Sequence, residues 1–439
     1  MTSESSPANA SPLNASPSVP KLSFSRLWSI GVLALIAVTW PLWLPRPLAS
    51  GVYPTIGFIA SPTSVANRLE FAGAVAAIGT LIAIASGRVT ARWWWLVSIG
   101  LVVLVSTDQQ RLQPWCYQTI AYGLLFAFFD WRSARLWITL ITASIYLYSA
   151  AGKLDYQFTH SVGQQMVLQA LQMIPGITLD ESMARLATRL AITLPIVELC
   201  IGAMILAKPT RRYGGMAAIA MHLSLFALLG PWSLNHSFGV LCWNLLLAVQ
   251  SWMLFVNPAD GGKDIEPEVD RRKALSPWSR LVRTAVMVWV VVMLVAPLTE
   301  RWGIWDHWTS WSLYSPHTSR ATVEIHDSAV ARLPDELVRY LNDTDGDRWS
   351  RLSLEDWSIG ERWVPVYPQA RFQVEVAESV SRTYDLGQAI RVELRSVSDR
   401  VSGQRTSRYL IGRDEITRAA DGYWFPIGRS KFTTNQRQR

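Results

Sequence analysis

Charge and cysteine are both scarce in this chain of 439 residues. Charged residues make up 17% of it, whereas a typical soluble protein has about a quarter. The region after residue 300 contains no cysteine, which excludes a C-terminal domain held together by disulfides. No group of cysteines and histidines has the spacing of a structural zinc site, so we predict no metal site. The GxSxG, HExxH, P-loop and Rossmann motifs are also absent, and with them the enzyme classes that they mark.

Long apolar runs fill the first two thirds of the chain instead. We predict an all-α polytopic membrane bundle at 24–300, followed by a small extracytoplasmic α+β domain at 301–439. Residues 1–23, rich in Ser, Pro, Ala and Asn, are expected to form a disordered cytoplasmic tail. The bundle is predicted to contain about nine transmembrane helices, which begin with Leu27–Leu44 and continue at 69–87, 93–107, 115–131, 136–152, 190–207, 214–230, 237–256 and 282–299.

The lysines and arginines between these runs indicate how the chain crosses the membrane. With the N-terminus in the cytoplasm, every inner segment is basic and the outer loops carry only scattered single charges. Nine spans then satisfy the positive-inside rule and place the C-terminal domain outside, as in a bacterial-type plasma-membrane protein. The positive-inside rule thereby explains the net charge of +8. The expected partner is therefore the lipid bilayer and not nucleic acid.

Three ionisable side chains lie within or at the end of predicted spans, where burial in hydrocarbon is costly. Lys153 ends the fifth span, Glu198 lies in the sixth, and His222 lies in the seventh. A desolvated lysine amine gives up its proton more readily and can act as a base, while the other two can hold a polar head group. The alternative is structural: Lys153 would reach the membrane interface beside Asp155, and Glu198 and His222 would only link helices.

Polar and aromatic residues are dense at the start of the fourth predicted span. Arg111, Trp115, Tyr117 and Gln118 are candidate ligand-binding residues because they would line a pocket at the entrance of this span. The alternative is an aromatic belt around a helix that begins at a proline. In that case Arg111 would simply pair with Asp108, three residues earlier.

Regions outside the spans have patterns of their own. Val162 to Met173 mixes apolar residues with glutamines, which indicates either a short interfacial helix or a plain connector. In the C-terminal domain we predict a short helix at Pro334–Leu341, while Arg371–Tyr384 fits a helix or a strand. Strand-like alternation occurs in three segments, the last two of which are expected to pair across a turn: Ala321–Ile325, Ile390–Val397 and Ser407–Ile411.

The stretch Tyr146–Met166, YLYSAAGKLDYQFTHSVGQQM, carries a lysine-leucine-aspartate signature at the end of a span. It resembles the HTTM (horizontally transferred transmembrane) domain family, which includes the vitamin K-dependent gamma-carboxylases. The likeness covers roughly 110–330 and includes QPWCYQTIAYGLL, LPIVELCIGAMIL, AMHLSLF and WDHWTSWSLYSPHTSRATVEIH. The segment LPIVELCIG is also similar to the DoxX/MauE-like membrane proteins, small bundles linked to quinone and thiol redox work.

The HTTM resemblance implies a role for each of the three intramembrane side chains. Lys153 matches the lysine that activates vitamin K hydroquinone in that family, and Glu198 and His222 would position the ligand. Two features depart from the carboxylases. The tryptophan of their loop is replaced by Phe158, and their Asn-His pair is replaced by Tyr-Gln at 117–118.

Two functional hypotheses of different classes remain open. In the first, the chain binds a quinone-like or other lipid-soluble ligand near Lys153, such as a quinone or vitamin K-like hydroquinone. Whether base chemistry of carboxylase type makes it an enzyme is undecided from sequence. In the second, the chain is a non-catalytic membrane scaffold whose outer domain binds a protein partner that the sequence does not identify. The first predicts that function depends on the intramembrane polar residues, and the second that it depends on the outer domain.

Overall fold

The computed structural model describes residues 23–45, 52–59, 63–176, 180–258, 276–343 and 346–423. The predicted disordered tail, apart from its last residue, lies outside the described residues. The N-terminal part is helical, with short 3₁₀ segments at Ala91–Trp93, Gln109–Arg111 and Ala296–Trp302 and a π-helical turn at Trp252–Val256. Its α-helices are α1 (Phe24–Val38), α2 (Trp40–Trp43), α3 (Thr63–Ala85), α4 (Trp94–Thr107), α5 (Pro114–Phe128), α6 (Trp131–Lys153), α7 (Tyr156–His160), α8 (Val162–Gln172), α9 (Glu181–Ala191), α10 (Thr193–Leu206), α11 (Arg211–Leu229), α12 (Phe238–Ser251) and α13 (Pro277–Val295).

A multi-pass helical membrane protein is confirmed, but the predicted count of nine spans is not. Two of the predicted spans coincide with shorter apolar helices, Phe24–Val38 and Ala91–Thr107, and two others with α5 and α6. The 15 residues of α5 measure about 22 Å, less than the roughly 30 Å of hydrocarbon. Among the described residues, five helical stretches are long and apolar enough to cross a membrane: Ser64–Ala85, Glu181–Leu206, Arg211–Leu229, Phe238–Val256 and Pro277–Trp302.

Helix α5 is surrounded by other helices on nearly every side, so its apolar side chains are buried in the protein itself. Of its 15 residues, 12 are buried. Its one turn of polar side chains is satisfied internally: Gln118 donates to Gln250 (3.2 Å) and accepts from the indole N–H of Trp243 (3.0 Å). The Tyr122 hydroxyl lies 3.0 Å from that of Thr142 on α6. These bonds link α5 to α6 and α12 within the apolar core.

The turn after α6 is set by Asp155. Its carboxylate accepts the backbone N–H groups of Gln157 (2.8 Å) and Phe158 (3.3 Å), and so caps the N-terminus of α7. Phe158 is fully buried. The next helix, α8, confirms the helical interpretation of Val162 to Met173.

A five-stranded antiparallel sheet forms the centre of the C-terminal part, in the order β2-β3-β1-β4-β5. The three predicted strands are present, and β4 pairs with β5 as expected, with Arg391 opposite Ile411. The turn between them includes Gly403, whose φ of 70° suits glycine. The strands are β1 (Arg320–His326), β2 (Leu341–Asp343), β3 (Trp349–Leu352), β4 (Ile390–Arg395) and β5 (Ser407–Ile411).

The helices of this part cover the sheet and complete its core. The segment that fitted either a helix or a strand is helix α17, whose Phe372 and Val376 pack in one cluster with Val323 and Ile325 of β1. The helix predicted at Pro334–Leu341 is shorter than expected, because its last residue already pairs in β2. The helices are α14 (Asp327–Val330), α15 (Asp335–Val338), α16 (Leu354–Arg362), α17 (Ala370–Thr383) and α18 (Gly412–Asp421).

The segment after α4 joins the C-terminal part to the helical part through buried polar contacts. The Asp108 carboxylate pairs with the Arg362 guanidinium. Gln110 donates to the carbonyl of Pro365 (2.6 Å) and accepts from the backbone N–H of Tyr367 (3.1 Å). Because these groups are buried, each needs its partner, and the contacts fix how the sheet lies against the helices.

Candidate functional site

A cavity of about 1340 Å³ lies between the helices and the C-terminal sheet. Its walls come from the start of α5, from α6, α7, α8, α10, α11 and α12, from the loop after the 3₁₀ segment Ala296–Trp302, and from parts of β1, β3, α16 and α17. Most of the lining side chains are apolar or aromatic. Such a cavity, with few polar groups, is the usual form of a site for a small organic molecule.

An ion pair lies on the cavity wall at the end of α6. The Lys153 ammonium is 2.5 Å and 2.7 Å from the two carboxylate oxygens of Glu198 on α10, and 2.7 Å from the hydroxyl of Ser149. The side chains are only 5% and 12% exposed. An ammonium has three N–H donors, and here each has an acceptor. The pair therefore links α6 to α10 with no donor of Lys153 left over.

His222 is the middle member of a hydrogen-bonded chain on the same wall. Its Nδ1 lies 2.9 Å from the side-chain oxygen of Asn244, and its Nε2 lies 2.8 Å from the hydroxyl of Tyr146. Since the amide nitrogen of Asn244 donates to the Val240 carbonyl, the amide oxygen faces His222 and Nδ1 is the donor. Nε2 then accepts the Tyr146 proton.

Two buried hydroxyls of the cavity lining, Tyr314 Oη and Ser237 Oγ, have no hydrogen-bond partner among the described residues. Burial raises the pKa of Tyr314, so its hydroxyl stays protonated and able to donate. His236, also in the lining, packs edge-on against the Tyr314 ring at 5.5 Å. Burial lowers its pKa, which favours the neutral ring. A buried donor without an acceptor costs free energy. A ligand that accepted a hydrogen bond from either hydroxyl would remove that cost.

The seven site residues predicted from sequence divide into two groups. Lys153, Glu198, His222 and Trp115 line the cavity. The other three, Arg111, Tyr117 and Gln118, are buried outside its lining.

Each residue of the second group has a structural environment of its own. Gln118 belongs to the hydrogen-bonded network of α5. Tyr117 packs against the ring of Trp311 (5.4 Å). Arg111 donates to the carbonyls of Leu42 (2.9 Å) and Leu44 (3.0 Å) and pairs with Glu70 (3.4 Å) and more distantly with Asp108 (3.9 Å).

Two sets of polar residues at or near the cavity were not predicted from the sequence. Ser237 and Tyr314 are ordinary residue types in short connecting segments, and nothing in their spacing marks them. Glu300, His307 and His317 converge at the end of the last membrane stretch, although the sequence predicted no metal site. The signal was weak, because ten residues separate the histidines and no zinc-ribbon or zinc-finger spacing is involved.

The comparisons with known proteins address the helical part alone. The family model of the methylamine utilisation protein MauE matches residues 131–242, about a quarter of the chain. The match includes Lys153, Glu198 and His222 and ends before the C-terminal sheet. It supports the DoxX/MauE-like resemblance, whereas the HTTM resemblance has no support among these comparisons. No curated protein and no solved structure matches the chain.

Proposed function

We propose that this MauE-like membrane protein binds a lipid-soluble, quinone-like molecule in the cavity beside Lys153. The observation that carries the proposal is that two hydroxyls of the mostly apolar lining, Tyr314 Oη and Ser237 Oγ, have no hydrogen-bond partner among the described residues. A hydroxyl donor that has no acceptor among the described residues favours a ligand that brings one. A quinone has carbonyl acceptors on an apolar ring, and its prenyl tail suits the aliphatic walls of the cavity.

The Lys153–Glu198 pair supports binding more directly than it supports base catalysis. A base needs a lone pair, and the three donors of Lys153 are engaged by Glu198 and Ser149. Base chemistry of the kind that the HTTM resemblance implies would require the ligand to open this ion pair first. We therefore propose that the pair positions the ligand at the polar end of the cavity. Base catalysis by Lys153 would follow only after the ion pair has opened.

Removing the two hydroxyls gives a sharp test, because neither has a hydrogen-bond partner to lose in the described part of the chain. Tyr314→Phe and Ser237→Ala should fold as well as the wild type, since each removes an unsatisfied polar atom. Binding of a short-chain 1,4-quinone, followed by quenching of tryptophan fluorescence in mild detergent, should weaken about three- to tenfold for each variant, the worth of one hydrogen bond. Tyr156→Phe, on an exposed tyrosine, is the matched control and should bind as the wild type does.

A second measurement identifies the natural ligand. Lipids that co-purify with the wild type and with the Tyr314→Phe/Ser237→Ala double variant are compared by mass spectrometry. An isoprenoid quinone present in the first and depleted in the second supports the proposal. If neither sample holds a specific lipid and the quinone titration shows no saturable quenching, the binding function is wrong. The scaffold hypothesis, in which the outer domain binds a protein partner, then takes its place.

A further inference from the structure

A second polar cluster lies at the edge of the cavity, where the last membrane stretch ends, and one of its members, His307, is in the cavity lining. Glu300 is part of the 3₁₀ segment Ala296–Trp302, and His307 and His317 follow on the loop that leads to β1. Nδ1 of His307 is 2.9 Å from one Glu300 oxygen, and Nε2 of His317 is 3.1 Å from both. Both imidazoles are buried. Three ligand-type atoms therefore converge on one point.

In each ring, the partners of the nitrogen that points away from Glu300 show where the ring proton lies. Nε2 of His307 lies 3.1 Å from the carbonyl oxygen of Ser315, which can only accept. Nδ1 of His317 lies 2.5 Å from Ser315 Oγ and 3.2 Å from the carbonyl oxygen of Gly152. Ser315 Oγ donates its own proton to that same carbonyl. Each of these ring nitrogens is therefore an N–H donor.

The nitrogens that face Glu300 consequently carry lone pairs in the neutral rings. Two imidazole lone pairs and a carboxylate pointing at one another repel unless protons or a metal cation lie between them. A metal-bound histidine normally donates its other ring N–H to a carbonyl or a similar acceptor, which fixes its tautomer. His307 and His317 both show this arrangement, with Ser315 and Gly152 as the acceptors.

We propose that Glu300, His307 and His317 bind a divalent transition metal of the Zn²⁺ type, independently of the proposed cavity ligand. Two imidazoles and one carboxylate are a common set of three protein ligands for zinc and leave a fourth position for water or another ligand. Tetrahedral bonds of about 2.0–2.1 Å separate ligand atoms by about 3.3 Å. The observed nitrogen–oxygen distances of 2.9 and 3.1 Å to Glu300 need only small outward shifts of the side chains, and the three ligand atoms all lie within 4.8 Å of one another.

Such a metal would fasten the loop that carries part of the cavity wall. Ser315 Oγ bonds the Gly152 carbonyl at 2.5 Å, and Gly152 directly precedes Lys153. The residues between His307 and His317 include Ser312 and Tyr314 of the cavity lining. The metal would therefore hold the end of α6 and this loop together.

Metal content of the full-length protein in mild detergent tests the proposal. After incubation with Zn²⁺ and removal of excess metal, elemental mass spectrometry should find about one Zn²⁺ per chain in the wild type. The His307→Ala and Glu300→Gln variants should hold at least about tenfold less, as expected when a metal shell is disrupted. The control His160→Ala removes an exposed histidine and should leave the content unchanged.

Cobalt gives a readout that separates ligand loss from misfolding. Co²⁺ bound by this set should produce visible d–d absorption in the wild type and in His160→Ala, but not in the cluster variants. Each variant is first shown to elute as the wild type does in size-exclusion chromatography. The proposal is overturned if the wild type retains neither metal, which would mean that protons alone bridge the cluster, or if the variants bind as much metal as the wild type.

Discussion

The charges of Lys153 and Glu198 have a large energetic consequence at the residue scale, since both are largely withdrawn from solvent. Removing one partner of a buried pair leaves the other charge uncompensated, which costs about 3–5 kcal/mol, whereas replacing both is often nearly neutral. We expect Lys153→Met to lower the thermal unfolding temperature more than the double substitution Lys153→Met/Glu198→Gln does. Unfolding followed by tryptophan fluorescence in detergent measures this. Additive losses, with the double variant the least stable, would contradict the pairing.

Single residues could be predicted as site candidates where their type is rare in the surrounding sequence. Residues whose role depends only on their neighbours in the folded protein could not. Lys153, Glu198 and His222 were recognisable because ionisable groups in apolar runs are costly. Tyr314 and Ser237 were not, because their lack of a partner depends on what surrounds them. Arg111 was recognised as unusual, but its donors satisfy carbonyls nearly 70 residues away, which no local pattern reveals.

At the scale of elements, helix packing depends on where backbones approach closely. A Cβ added at Gly100 of α4 would lie 2.6 Å from the Gly73 carbonyl oxygen and 2.9 Å from the Ala77 nitrogen of α3. Backbone atoms cannot swing aside, so the two helices would have to separate. Small residues of this kind are typical where membrane helices meet.

Gly100→Ala should therefore destabilise the protein by about 1–3 kcal/mol, the usual cost of overpacking. Gly79→Ala is the matched control, because this glycine is also helical but a Cβ there meets nothing within 4 Å. It should be neutral or stabilising by up to about 1 kcal/mol, since alanine is the better helix former. Thermal unfolding of both variants in the same detergent decides the matter. Equal effects of the two substitutions would contradict the close contact of α3 and α4.

Helices and strands could be predicted from the sequence where a segment shows either the two-residue period of a strand or the 3.6-residue period of a helix, but not both. β1 alternates buried and partly buried residues along its length, so its sequence pattern was enough. The span predicted at α5 is not confirmed, and its apolar run alone could not decide, because a helix buried in protein has the same composition as one buried in lipid. The pattern of Pro334–Leu341 was helical, but pairing of Leu341 with Leu352 ended the helix early.

At the scale of the whole molecule, the C-terminal part contacts two segments that connect helices of the N-terminal part, one after α4 and one after α6. It bonds the segment after α4 through Asp108 and Gln110, and the segment after α6 through the Tyr156 N–H, which donates to the Arg400 carbonyl at 2.8 Å. We therefore expect these two segments and the C-terminal part to lie on one side of the membrane. The basic turn between α10 and α11, which carries Lys208 and Arg211, is at the other end of α10.

This arrangement makes the orientation of the chain testable without a full count of its spans. Three of the long apolar stretches, Arg211–Leu229, Phe238–Val256 and Pro277–Trp302, separate Lys208 from Ser402 in the β4–β5 turn. An odd number of crossings puts these two exposed positions on opposite sides, and the basic turn at 208–212 is expected inside. In a background without the three native cysteines, Ser402→Cys should react with an impermeant maleimide in intact cells. Lys208→Cys should react only after permeabilisation. Reaction of both from the same side would mean that one of the three stretches does not cross, and the reverse pattern would invert the predicted topology.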